Sequence, residues 1–357
     1  MPDKRINWID TVKALGIFLV FYGHYAEVLV RNHHYSVAGL QFKFIYTFHM
    51  PMFFMLSGFF MKDIDSMQRF KTTVYQLLLP VLSFGVLSLP FWFFYSDESL
   101  SNIRDYALNY LSGNPFLNWM TWFLVCLFAA KLIASVVGVK KSIVTNIVTG
   151  LVLVIAGFYI LQNIKTVGRY VKIEKNFWFI HEGIIAGGFC FIGQALYQIG
   201  NKINPEKKYI FIVSAIVSLA LLLLSFNFIQ NDVIIMAGGL HTQLLPFILN
   251  AILGSVCIIS LGVIIPETKL LNFYGANTLI LLGINGWLFH FFNTKIAIHT
   301  AQYTQNTWAS ITINCLLYTV VMLIISYPIM YVLNKYVPQL FGKPSADGPI
   351  IKALISK

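Results

Sequence analysis

The first apolar segment of the chain carries three ionisable residues at helical spacing: Lys13, His24 and Glu27. Lys13 and His24 are eleven residues apart, which places them on one helix face and about 16 Å apart along the axis. Glu27 is three residues after His24 and can orient its imidazole. Asp10, three residues before Lys13, can pair with its ammonium. This face predicts a cation near one end and a general base near the other.

Apart from Lys43 at the edge of its span and Lys131, the other apolar segments contain four more ionisable side chains: His49, His181, Glu182 and His290. Such groups are costly inside a bilayer and mark functional sites. If the N-terminus lies inside, His24 lies about 9 Å and His49 about 10 Å below the outer surface. His181 and His290 then lie near the same surface. A single histidine is often an ordinary core residue, but four in one layer predict a polar cavity that opens outward. Lys131 is alone in its segment and is expected to extend to the inner surface.

The composition requires helices that span a membrane. The chain is 57% hydrophobic and 11% charged, whereas soluble proteins are about 45–50% apolar and about 25% charged. This excludes a soluble enzyme, and continuous apolar runs indicate helices rather than a β-barrel. We therefore predict an all-α polytopic membrane bundle of about ten helices. The ten expected spans are Val12–Val30, Phe42–Met61, Tyr75–Tyr95, Asn118–Val137, Ile143–Leu161, Trp178–Ile199, Tyr209–Ile229, Leu244–Ile265, Tyr274–Phe292 and Ala309–Leu333.

The links between the spans are short. The longest, 96–117 and 162–177, are too small to fold alone, so residues 1–357 are expected to form a single domain. We expect Pro51 to kink the second span at its middle. No repeat relates the two halves, which counts against a transporter built from inverted repeats.

Basic residues in the links predict the orientation. With the N-terminus inside, fifteen lie on the inner side and eight on the outer side. This favours a multi-pass protein of the cell membrane with both termini in the cytoplasm. The inner set is Lys4, Arg5, Lys62, Arg69, Lys71, Lys140, Lys141, Lys202, Lys207, Lys208, Lys269, Lys335, Lys343, Lys352 and Lys357. The outer set is Arg31, Lys43, Arg104, Lys165, Arg169, Lys172, Lys175 and Lys295.

Several classes of site are not expected. The four cysteines, Cys126, Cys190, Cys257 and Cys315, lie singly in separate apolar runs without a CxxC pair, so neither a metal site nor a disulfide framework is indicated. No basic run interleaved with aromatic residues suggests a nucleic-acid partner. The charged residues in the first apolar run favour a retained span over a cleaved signal peptide.

Four segments, at residues 5–24, 48–59, 119–124 and 274–290, resemble in this order segments of the acyltransferase-3 family of membrane O-acyltransferases. Residues 5–24 are similar to the family's opening helix, in which lysine or arginine, ten residues and then histidine follow an Arg…Leu/Ile-Asp start. Residues 48–59, FHMPMFFMLSGF, resemble its His-Met-Pro-Leu-Phe-Phe…Ser-Gly segment, and 119–124, WMTWFL, its Trp-Phe-Leu helix. Residues 274–290 resemble its Gly-x-Asn-Ser-Leu…His helix. Lys13 and the Trp-Phe-Leu form are similar to the branch of fucose O-acetyltransferases.

The resemblance implies transfer of an acyl group, usually acetyl, from a cytoplasmic acyl-CoA to a hydroxyl of a cell-surface glycan or its lipid-linked precursor. No metal is implied. Family members often carry arginines before the proline that Pro80 matches, and here the nearest cations are Arg69 and Lys71. Residue types and resemblance together assign catalysis to His24 and Glu27, donor binding to Lys13, Asp10, Arg69 and Lys71, and acceptor binding to His49, Trp122, His181, Glu182 and His290.

His24 would act either as a general base or through an acyl-histidine intermediate. Two alternatives remain: a proton-coupled transporter, in which His24, His49, His181 and Glu182 relay protons, and a flippase for a lipid-linked sugar. Four outer aromatic residues are expected either to stack on sugar rings or to anchor spans at the membrane surface. They are Tyr106, Tyr110, Tyr170 and Trp178.

Overall fold

The computed structural model describes residues 6–95, 108–139, 142–163, 177–203, 206–230, 232, 234–241 and 243–356. Some residues singled out from the sequence lie outside these ranges. They are Lys4, Arg5, Arg104, Tyr106, Lys140, Lys141, Lys165, Arg169, Tyr170, Lys172, Lys175 and Lys357.

The described residues are mainly α-helical. The helices are α1 (Asn7–His33), α2 (Ser36–Tyr46), α3 (His49–Gly58), α4 (Met67–Tyr95), α5 (Trp122–Val137), α6 (Ile143–Gln162), α7 (Ile180–Gly200), α8 (Lys208–Asn227), α9 (Leu244–Ile264), α10 (Lys269–Ala276), α11 (Thr278–Trp287), α12 (Asn293–Ala301) and α13 (Trp308–Tyr336). A 3₁₀ segment at Phe116–Thr121 leads into α5, and a π-helical turn at Leu288–Phe292 joins α11 to α12.

Within the described ranges, eight helical segments are long and apolar enough to cross a membrane. This confirms the predicted all-α polytopic bundle. Eight of the ten expected spans correspond to these segments. The second and ninth are instead broken: α2 and α3 replace the second, and α10 to α12 replace the ninth.

The break in the second span precedes Pro51, so the expected kink at this proline is wrong. Phe48 leaves the helical conformation at φ −138° and ψ −21°. The Thr47 hydroxyl donates to the Phe44 carbonyl at 2.7 Å. Pro51 then falls in the first turn of α3, where its missing N–H needs no partner.

The ninth span is interrupted at Asn277, which lies between α10 and α11 with φ −119°. Its side-chain amide donates to the Phe273 carbonyl at 2.8 Å, and its carbonyl oxygen accepts from Lys343 Nζ at 2.9 Å. Further along, Phe289 lies within the π-helical turn. Such turns occur often at functional sites.

Helix α1 lies at the centre of the bundle. Its most apolar window is 78% buried, against 22% for those of α8 and α13. Helix α10 touches it at backbone distance, because a Cβ on Gly275 would lie 1.9 Å from the Asp10 carbonyl oxygen. The position of α1 lets a stripe of its side chains face the interior along its whole length.

We call the side of the bundle where α1 begins the entry face, and the side where it ends the exit face. At the entry face the ring of Trp8 lies 6.1 Å from that of Phe59 at the end of α3, and Phe59 stacks on Tyr197 of α7 at 5.1 Å. At the exit face His33 Nε2 bonds the Ala297 carbonyl of α12 at 3.2 Å.

Candidate active site

His24 belongs to a hydrogen-bonded chain of side chains from α1 and α2. The Tyr46 hydroxyl donates to Glu27 Oε2 at 2.7 Å and lies 2.7 Å from His24 Nδ1. Because its one proton is on the side of Glu27, Tyr46 accepts from His24 Nδ1–H. In the neutral imidazole, His24 Nε2 is then the nitrogen that carries the lone pair.

Glu27 is held from two sides. Arg31, one turn further along α1, forms an ion pair with Glu27 Oε1, while Tyr46 donates to the other oxygen. The direct separation between His24 Nδ1 and Glu27 Oε2 is 3.5 Å. Glu27 therefore orients the imidazole chiefly through Tyr46. The Glu27 side chain is only 8% exposed, whereas that of Arg31 is 61% exposed.

These side chains line a cavity of about 180 Å³, which we call the His24 cavity. Its wall brings together four residues assigned from the sequence, His24, Glu27, His49 and Trp122. The carbonyl of Ile45 can only accept, so His49 donates to it through Nδ1 at 3.0 Å. The remaining described lining residues are Arg31, Tyr46, Met50, Trp119, Met120, Ile234, Ile235, Met236, Ala237 and Phe289.

A second cavity of about 340 Å³ lies nearer the entry face, and we call it the Lys13 cavity. Among the described residues, Met50 is the one that lines both cavities. Apart from Lys13 and Lys131, the described lining residues are uncharged: Ile17, Val20, Met50, Phe53, Leu56, Ser57, Phe60, Leu77, Phe123, Leu124, Leu127, Thr278, Leu279 and Leu282. Lys131, expected to extend to the inner surface, thus lines this cavity.

One stripe of α1 faces both cavities. Lys13, Ile17 and Val20 line the Lys13 cavity, and the same helix face continues into the His24 cavity through His24, Glu27 and Arg31. The steps between them alternate between three and four residues, as a single helix face requires. Lys13 and His24, which the sequence placed on one helix face, therefore line neighbouring cavities.

Asp10 and Lys13 are close, with 3.8 Å between Asp10 Oδ1 and Lys13 Nζ. Asp10 is buried, whereas the Lys13 side chain is 37% exposed. Arg69 and Lys71 lie at the exposed start of α4, and Arg69 pairs with Asp65 at 2.5 Å. Neither is among the described residues that line the two cavities.

His181 and Glu182 do not join His24 in its cavity. Glu182 Oε1 bonds His241 Nε2 at 2.9 Å, and both side chains are 4% exposed. His241 follows a tight turn closed by the Ile235–Leu240 bridge, and the first half of that turn lines the His24 cavity. The Glu182–His241 pair therefore ties a wall of the cavity to α7. No sequence pattern pointed to His241, which lies outside the apolar runs.

His290 accepts from the Trp119 N–H through Nε2 at 3.4 Å and is exposed. Its neighbour Phe289 lines the His24 cavity instead, with its ring 5.2 Å from that of His24. Trp178 donates from its indole to the Leu111 carbonyl at 3.1 Å, and the buried Tyr110 hydroxyl has no hydrogen-bond partner among the described residues. Neither residue is among the described lining of the His24 cavity.

The sequence also missed Tyr46, Arg31 and Phe289 as parts of the site. Arg31 follows Glu27 at helical spacing, which is a signal that could have identified it. Tyr46 and Phe289 come from other helices, so no local pattern relates them to His24. The four cysteines are free and buried. Among the described residues, no three side chains of histidine, cysteine, aspartate or glutamate are grouped to hold a metal ion.

One protein-family model matches nearly the whole chain. The family model described as an acyltransferase domain, that of the acyltransferase-3 family, matches residues 6–334. No curated protein and no solved structure gives a significant match. The match spans α1 to nearly the end of α13 and includes every described residue that lines the two cavities. The chain therefore belongs to the acyltransferase-3 family and is a multi-pass membrane acyltransferase.

Proposed function

We propose that this protein is an O-acetyltransferase that moves an acetyl group from acetyl-CoA, or another acyl group from its CoA thioester, to a hydroxyl of a cell-surface glycan or its lipid-linked precursor. The observation that carries the proposal is the single α1 stripe from Lys13 to Arg31. This stripe lines both the Lys13 cavity, which has two lysines, and the His24 cavity, which has an oriented histidine. The whole chain acts as a single catalytic domain in the cell membrane, with both termini in the cytoplasm.

The Lys13 cavity suits the donor. An acyl-CoA has phosphates at one end, a flexible pantetheine arm and a thioester at the other end. Lys13 supplies a point charge for a phosphate, and the largely apolar wall accommodates the arm. The thioester then reaches the His24 cavity past Met50, which borders both spaces. Asp10 holds Lys13 at the cavity edge, while Arg69 and Lys71 attract the anionic donor only at the surface.

His24 Nε2 provides the base for the transfer. It removes the proton of the acceptor hydroxyl as that oxygen bonds to the thioester carbonyl carbon. The carbon–sulfur bond then breaks, and the CoA thiolate takes the proton from Nε2. Tyr46 and Glu27 hold the Nδ1 side of the ring throughout. Attack by Nε2 on the thioester, giving an acyl-histidine, is the second route and uses the same nitrogen.

The acceptor enters the His24 cavity. Trp119, Trp122 and Phe289 present aromatic surface there, and His49 adds a polar group. Aromatic faces beside a few polar groups are suited to a sugar ring. Glu182 and His290 act on the acceptor through the wall of this space, because Glu182 bonds His241 and His290 bonds Trp119, which lines the cavity. His181, beside Glu182 in the chain, stays a predicted acceptor residue. The acceptor follows the branch resemblance and is a sugar hydroxyl, as in fucose O-acetyltransferases.

The test uses the full chain purified in detergent or reconstituted in lipid. Labelled acetyl-CoA is supplied with a glycolipid extract, and both free CoA and labelled extract are measured. We expect CoA release and labelled acceptor that depend on His24. Absence of CoA release in both preparations would contradict the proposed activity.

The arrangement gives less support to a proton relay. Glu182 bonds His241, not His24 or His49, and neither Glu182 nor His181 is among the described residues that line the His24 cavity. The four groups of the expected relay are therefore divided between two sites.

A further inference from the structure

We propose that Lys131 is a second donor-binding cation, which binds a phosphate of the acyl-CoA from the wall opposite Lys13. This inference rests on the proposed function, because it assigns a ligand to a residue of the Lys13 cavity. Neither the sequence patterns nor the family match singles out Lys131.

Helix α5 lines the two cavities as α1 does, but in the opposite direction. Met120, just before the helix, and Trp122, its first residue, line the His24 cavity. Phe123, Leu127 and Lys131 follow at spacings of four residues and line the Lys13 cavity. Both helices thus place an apolar stripe along the cavities and end it with a lysine at the same side.

The depths of the two lysines match. From His24 to Lys13 is eleven residues of α1, and from Trp122 to Lys131 is nine residues of α5, or about 16 Å and about 14 Å. Lys131 also lies six residues before the last residue of α5, just as Lys13 lies six residues after the first residue of α1. Both lysines are therefore about 9 Å inside a helix end, and both line the same cavity.

The two lysines differ in their partners. The Lys13 ammonium forms an ion pair with the Asp10 carboxylate, so part of its charge is already compensated. Lys131 is partly buried, and no hydrogen bond or ion pair joins its side chain to any residue in the described part of the chain. An ammonium that faces an apolar cavity without a counterion is costly. A bound anion would remove that cost.

The ligand chemistry follows from the cavity. Two cations lie at one end, apolar side chains extend for most of the length, and a base lies beyond Met50. A molecule with phosphates at one end, a flexible arm and a reactive thioester at the other end matches this order. A simple anion would use the lysines but not the apolar length.

The experiment measures binding to the purified full chain by calorimetry at fixed ionic strength, with CoA and pantetheine as probes. Lys131→Gln is expected to weaken CoA binding about tenfold and to leave the binding of pantetheine, which has no phosphate, unchanged. Lys131→Arg should restore most of the CoA affinity. The matched control is Lys202→Gln, since Lys202 is an exposed lysine that follows α7 at the entry face.

Three results would overturn the inference. An unchanged CoA affinity in Lys131→Gln would exclude this lysine from the donor site. Equal loss of CoA and pantetheine binding would mean that Lys131 only supports the cavity shape. If the wild-type chain binds no CoA, the proposed function itself fails, and this result is distinct because it does not depend on the variant.

Discussion

At the scale of single residues, the site depends on how one imidazole is oriented. Helical spacing is enough to bring Glu27 near His24, and this was predictable from the sequence. The group that links them, Tyr46, belongs to α2 and reaches both through packing. In the neutral imidazole its hydroxyl accepts the Nδ1 proton and leaves the lone pair on Nε2, as the proposed base requires. Local spacing therefore identifies the proposed base, but it does not identify the group that selects which ring nitrogen carries the lone pair.

His24→Ala should abolish acetyl transfer while the protein still folds. Loss of a general base costs about 10²–10⁴-fold in rate, and loss of an acyl-carrying histidine costs at least as much. The rate of CoA release from acetyl-CoA provides the measurement. His299→Ala is the control, since His299 is exposed on α12 and should retain wild-type turnover. Near-normal turnover of His24→Ala would exclude His24 from the mechanism.

Tyr46→Phe should lower kcat about 10–100-fold, a loss typical of removing a partner that orients a reactive imidazole. The KM for acetyl-CoA should stay near the wild-type value, because Tyr46 lines the His24 cavity and not the Lys13 cavity. Steady-state kinetics at varied acetyl-CoA separates the two constants. Tyr22→Phe removes another tyrosine hydroxyl bonded to a buried side chain and should leave kcat unchanged. A rise in KM alone would assign Tyr46 to donor binding.

At the scale of elements, continuous helices were predictable and broken ones were not. In α1, α6 and α8, the spacing and number of apolar residues are enough to predict a membrane-spanning helix. The break before α3 depends on neighbours instead. A Cβ on Gly254 would lie 2.2 Å from Phe48 Cγ, so α9 packs directly against the residue at the break. A single sequence does not reveal which helix will approach so closely.

The α1 stripe leads to a prediction for Lys13. It lies about 16 Å from His24 along the helix and lines a different cavity, so we expect it to affect donor binding rather than the reacting atoms. Lys13→Gln should raise the KM for acetyl-CoA with kcat little changed, the pattern of lost ground-state binding. Lys13→Arg should be less damaging, because it keeps the charge.

These Lys13 variants are compared by initial rates over a range of acetyl-CoA concentrations. The exposed Lys202→Gln again serves as the control for a charge removed at the entry face. A lower kcat with an unchanged KM would place Lys13 near the chemistry. Equal damage from arginine and glutamine would show that charge is not its contribution.

At the scale of the whole molecule, both ends of the described chain lie at the entry face. Gly275 of α10 meets Asp10 near the start of α1. Asn277, two residues after Gly275, accepts a hydrogen bond from Lys343, which follows α13. The fold thus places the two ends on one side. That this side is cytoplasmic stays a prediction from the excess of basic residues, since such residues concentrate in cytoplasmic loops.

Orientation decides which cavity meets the cytoplasmic donor, and it has a direct test. A cysteine at Ser345, beyond α13, should resist an impermeant thiol reagent in intact cells and react after the membrane is opened. One at Gln302, exposed just after α12 at the exit face, should react in intact cells. The unmodified protein is the control, because its four cysteines are buried. With the reverse labelling, the Lys13 cavity would lie on the outer side, where no cytoplasmic acyl-CoA reaches it, and the proposed direction of transfer would be wrong.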